Sequence, residues 1–62
     1  MTPDYNIKAM TAKIAALRRD ATELKEISGG IEAVGRNADR ILACVRMLEI
    51  DVSDAAEVLG ED

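Results

Sequence analysis

The sequence predicts an all-α protein: an antiparallel helical hairpin with a short C-terminal helix, assembling as a dimer into a four-helix bundle. Three observations predict it. Apolar residues recur at steps of three and four in two separate segments, the spacing of a helix face. Ala, Leu, Glu, Lys, Arg and Met are abundant, and Tyr5 is the only aromatic, a composition that favours helix. Two adjacent glycines, Gly29 and Gly30, stand between the segments.

The first helix is expected over about residues 3–28. Thr2 can accept a backbone N–H bond as N-cap, and Pro3 suits the first helical position, where its missing donor costs nothing. Asp4 then stands near the positive end of the helix dipole and four residues before Lys8, the favourable order for an ion pair. Ile7, Met10, Ile14, Leu17, Ala21 and Leu24 form a seam of about three heptads.

At residues 28–30 two readings compete. In one, Gly29 follows helix 1 in the left-handed conformation and Ser28 or Gly30 caps helix 2. In the other, a single straight helix runs through, keeping the step Leu24, Ile27, Ile31, Val34, Ala38. Two interior glycines would cost that helix roughly 2 kcal/mol relative to alanine. The regular step from Leu24 also leads to Ser28, not to Ile27, so the phase slips where the glycines begin. The turn is the expectation.

The second helix is expected over about residues 31–50, with Ile31, Val34, Ala38, Ile41, Val45, Leu48 and Val52 on its seam and Glu32 and Arg36 as an ion pair. Leu42 and Cys44 flank the stripe, while Ala43, Met47 and Ile50 lie opposite, and a helix apolar on several sides has several neighbours. The last stretch offers Ser53 as N-cap, Asp54 in a first turn and Gly60 as a stop, so a short helix over about residues 54–59 is expected, the alternative being a continued helix 2.

Composition then bounds function. Sixty-two residues make one small domain, which is marginal alone and needs a staple, a metal or a partner. Cys44 is the only cysteine and histidine is absent, so no internal disulfide, histidine base or Cys/His zinc site is available. The expectation is no cofactor, no metal site and no enzymatic activity. The longest apolar run, Ile41 to Val45, is far too short to span a bilayer, and the N-terminus does not read as a secretory signal. A cytoplasmic location is expected.

The candidate residues follow from the seams. Self-association is expected through Ile14, Leu17, Leu24, Ile31, Ile41, Val45 and Leu48, giving a homodimer, with Met47, Ile50 and the alanines leaving room for a tetramer or another helical protein. Cys44 is read as a small buried hydrophobe near the stripe. Gly35, with Ala9, Ala12 and Ala16, could admit a neighbouring helix closely. The alternative function is binding of structured RNA or DNA through Arg18, Arg19 and Lys25. Residues 1–48 carry a net charge of +2 and residues 49–62 a net −6, so the overall charge opposes a nucleic-acid partner.

Two partial likenesses accompany these readings. Residues 52–60, VSDAAEVLG, resemble the opening helix of small helix-turn-helix DNA binders, where an Ala-Ala pair precedes an apolar residue, Leu and Gly. That resemblance implies a recognition helix after Gly60, for which the sequence to Asp62 has no room, so the motif is not expected to read DNA here. The hairpin plan with an acidic end is similar to the Rop family of plasmid proteins, dimeric four-helix bundles that bind paired RNA loops. No residue motif is shared, and the likeness is one of architecture.

Overall fold

A computed structural model describes residues 6–59, with side chains through residue 58. Two helices, α1 (Ile7–Ile27) and α2 (Glu32–Leu59), pack against each other as a hairpin about 50 Å long, 17 Å wide and 15 Å deep.

Helix α1 begins later than its sequence suggests. Asn6 is its N-cap, extended at φ −121° and ψ 105°, and its side-chain Oδ1 accepts the Ala9 N–H at 2.9 Å. Asparagine is a stronger cap than threonine. Among the described residues α1 therefore starts at Ile7, behind the extended Asn6. Thr2, Pro3, Asp4 and the Asp4–Lys8 pair lie outside the described residues.

The turn forms at the glycines. Ser28 closes α1, its N–H and its hydroxyl both donating to the Lys25 carbonyl, at 3.3 and 2.7 Å. Gly29 follows at φ 56°, the left-handed conformation that a glycine adopts without a Cβ penalty. Neither Ser28 nor Gly30 caps α2. The Ile31 carbonyl accepts the first bonds of that helix, from Val34 and Gly35, so the cap position falls to a residue with no side-chain acceptor. Ser28 lies three residues before that position, and its carbonyl accepts the Ile31 N–H at 3.0 Å.

The separate short helix expected over residues 54–59 does not exist. Helix α2 runs unbroken for 28 residues, to Leu59. No Gly or Pro stands between Arg36 and Leu59. Extending a helix adds a hydrogen bond for each residue ordered, whereas a new helix bears the nucleation cost again. Continuation therefore wins over the cap that Ser53 offers.

The core is small. Among the described residues, Ile14 and Ala21 of α1 and Ala38 and Val45 of α2 are the buried apolar side chains. Each pair is seven residues apart, so the contact between the helices is a narrow heptad stripe. The two alanines let the helix backbones come close; Ala38 is fully buried and Val45 only 2% exposed.

Candidate functional site

The narrow contact leaves two unlike flanks on the hairpin, and helical spacing sets which residues fall on each. On α1, Arg18 and Lys25 follow Ile14 and Ala21 by four residues, whereas Leu17 and Leu24 follow them by three. The two sets therefore stand on opposite sides of the buried stripe. Helix α2 is divided likewise: Ile41 and Leu48 follow Ala38 and Val45 by three, and Glu49 follows Val45 by four.

One flank is held by ion pairs across the hairpin. Arg18 donates from Nε to Glu49 Oε2 at 2.6 Å and from Nη2 to Glu49 Oε1 at 2.7 Å, a two-pronged match of guanidinium and carboxylate. Arg46 stands at 3.8 Å from the same carboxylate, and Lys25 Nζ lies 2.7 Å from Asp39 Oδ1. The hydrogen bonds from Arg18 hold the Glu49 carboxyl below its ordinary range; partial burial opposes them, and the charges of Arg18 and Arg46 add to the lowering. The same contact raises the Arg18 guanidinium further above its ordinary value. The Glu32–Arg36 pair on α2 also forms, at 3.4 Å, and is exposed.

The other flank is apolar. Leu17 of α1 and Ile41, Val45 and Leu48 of α2 line a shallow open groove of about 310 Å³, with Asn37, Arg40 and Cys44 along its α2 edge. Leu17 is 48% exposed, Ile41 43%, Leu24 39% and Leu48 39%. Four large aliphatic side chains on one side of a hairpin this small amount to an uncovered face rather than scattered surface leucines.

The seven interface candidates thus separate. Ile14 and Val45 are buried inside one hairpin, with Val45 also reaching the floor of the groove. Leu17, Leu24, Ile41 and Leu48 stand on the open apolar flank, and Ile31 is exposed beside the turn. Of the three candidate nucleic-acid contacts, Arg18 and Lys25 are matched to carboxylates of α2, while Arg19 is exposed and 3.6 Å from Asp20.

Two readings of single residues change. Cys44 is exposed on the rim of the groove instead of buried, because a two-helix contact covers only the stripe through Ala38 and Val45 and leaves the next residues round the helix open. Gly35 meets no neighbouring backbone; a Cβ there would find only the Ser28 hydroxyl, at 3.5 Å. Close packing falls to Ala21 and Ala38, while Ala9 and Ala12 are exposed. Sequence reasoning missed Glu49 and Asp39 as partners of the α1 cations, since pairs 31 and 14 residues apart leave no local signal. It could have found Asn37 and Arg40, which share the three/four step of Cys44 and Leu48.

Among the described residues, no helix is long and apolar enough to cross a membrane. The chain matches no protein-family model, no curated protein and no solved structure.

Proposed function

We propose that the protein acts without catalysis, as a self-associating helical hairpin whose apolar flank receives a second copy of itself. The product is a four-helix bundle serving as a small structural or protein–protein interaction module. The observation that carries this reading is the division of the hairpin: ion pairs gather on one flank, and Leu17, Leu24, Ile41 and Leu48 remain open on the other. A core of two aliphatic side chains and two alanines is slight for a free-standing domain, and a second hairpin supplies what one lacks.

Light scattering across a hundredfold dilution tests the reading. Twice the chain mass, surviving dilution, is the expected result. A monodisperse, helical monomer at every concentration overturns it. Binding of structured RNA or DNA is the weaker alternative, because Arg18 and Lys25 already have carboxylate partners. It requires duplex retardation at low salt that falls when Arg18 and Arg19 are both changed to alanine.

A further inference from the structure

A second hairpin can lie on the apolar flank in two directions, and charges along the rims of that flank distinguish them. On the α1 rim, Lys13 stands four residues before Leu17 and Asp20 three after it, on the side of the helix that continues from Leu17. On the α2 rim, Arg40 lines the groove, and Asp51 lies two turns beyond Cys44, which also lines it. All four are exposed. Among the described residues Lys13, Arg40 and Asp51 make no ion pair, and Asp20 meets only its neighbour Arg19.

The cross-hairpin pairs Arg18–Glu49 and Lys25–Asp39 set the register, because the numbers of residues level with each other add to between 64 and 67. Asp51 is therefore level with residues 13–16 of α1, and Arg40 with residues 24–27.

We infer that the second copy lies in the same direction as the first, both turns at one end and the two-fold axis running along the bundle. Each α1 then rests on the α2 of the other hairpin. This inference rests on the self-association proposed above. In this arrangement Lys13 comes within three residues of the level of the second copy's Asp51, at most ~4.5 Å along the axis. Asp20 falls four to seven residues from the second copy's Arg40, roughly 6–10 Å, a gap that the long arginine stem shortens. The two-fold axis makes each contact twice, and every one joins opposite charges.

The opposite direction sets α1 on α1 and α2 on α2, and like charges then meet. Bringing Lys13 to the second copy's Asp20 places the two Asp51 carboxylates one to seven residues apart. Bringing Arg40 to the second copy's Asp51 centres the axis near residue 20 of α1, and the two Asp20 carboxylates come within three residues of each other. No position of the axis satisfies both pairs without an acid–acid clash.

A spin-label distance measurement tests the direction. Gly30 accepts a cysteine, because its φ is not positive and nothing lies within 4 Å of a Cβ built there. The full chain carrying Gly30→Cys and Cys44→Ser is labelled with nitroxide, and its mass is followed by light scattering. Labels within about 20 Å are expected, since both turns then lie at one level and packed helices lie roughly 8–10 Å apart. Separately, Lys13→Asp is expected to weaken the dimer about tenfold at low salt, and Asp51→Lys in the same chain to restore it. Labels separated by roughly 25–40 Å, the spacing that either antiparallel axis gives at about 1.5 Å per residue, or a charge reversal without rescue, overturn the direction while leaving the dimer intact. A monomer at every concentration overturns self-association, and the direction with it.

Discussion

Gly29 and Gly30 are chemically identical neighbours with different backbone demands. Gly29 sits at φ 56°, and a Cβ added there meets nothing within 4 Å, so the cost of a side chain is conformational and not steric. Gly29→Ala is expected to destabilise the hairpin by roughly 1–2 kcal/mol, the left-handed penalty of an L-residue. Gly30→Ala is expected to be neutral or to stabilise by about 0.4–1 kcal/mol, because alanine restricts the unfolded chain more than glycine does. Urea midpoints of the two variants check this, and equal effects would argue against the turn described. Glu49 carries the second residue-scale prediction. Its folded pKa is lowered by Arg18, so its contribution is complete at neutral pH. That contribution is lost as pH falls below the unfolded carboxylate value of about 4.3 and through the depressed folded one. Glu49→Gln is expected to lower stability at pH 7 and to flatten the acid limb of a thermal midpoint measured from pH 7 to pH 2.

At the scale of the element, the continuity of α2 has a direct consequence. Asp54 would occupy the first turn of a separate short helix, close to the position that tolerates proline best. In the observed α2 it lies well inside an unbroken helix, five residues before Leu59. Asp54→Pro is therefore expected to remove a hydrogen bond, clash with the preceding turn and cost about 3 kcal/mol, less whatever fraying of the last turns relieves. Far-UV circular dichroism should show lost helix and a lowered melting midpoint. Unchanged helicity would mean that the chain already breaks near Ser53. The start of α1 is set differently, by the side chain of Asn6, which accepts the Ala9 N–H and caps the helix.

At the scale of the whole molecule, one hairpin buries Ile14, Ala21, Ala38 and Val45 and leaves Leu17, Leu24, Ile41 and Leu48 open. If a second copy covers them, folding is linked to association, and the melting midpoint must rise with protein concentration. Ile41→Asp or Leu48→Asp, on the open flank, is expected to produce a monomer with reduced helicity, because a buried unpaired carboxylate opposes the contact. Met47→Asp, on the far side of α2 from the core, is expected to leave the dimer unchanged. Sedimentation of the three variants separates these outcomes, and dissociation by Met47→Asp would place the contact on the wrong side of α2. The ion-paired flank, with Arg18 on Glu49 and Lys25 on Asp39, then faces solvent.

The sequence by itself determined that the chain is helical, where it turns and the set of apolar positions from which any interface is drawn, but not that the second helix runs on to Leu59. Each of these is local: periodicity is read within a helix, and the left-handed turn needs a glycine where Gly29 stands. The caps were less legible, since Asn6, Thr2 and Ser53 are all competent residues and the choice depends on where the growing helix already runs. Only the tertiary structure decided how each seam divides. Packing of α1 on α2 draws Ile14 and Val45 inward, leaves Leu17, Ile41 and Leu48 outward, and exposes Cys44. It also joins Arg18 to Glu49, 31 residues away. The physical reason is that a helix carries one apolar stripe but meets its neighbour along a narrower line. Which residues fall on that line depends on the register of two surfaces, and register is a property of the pair.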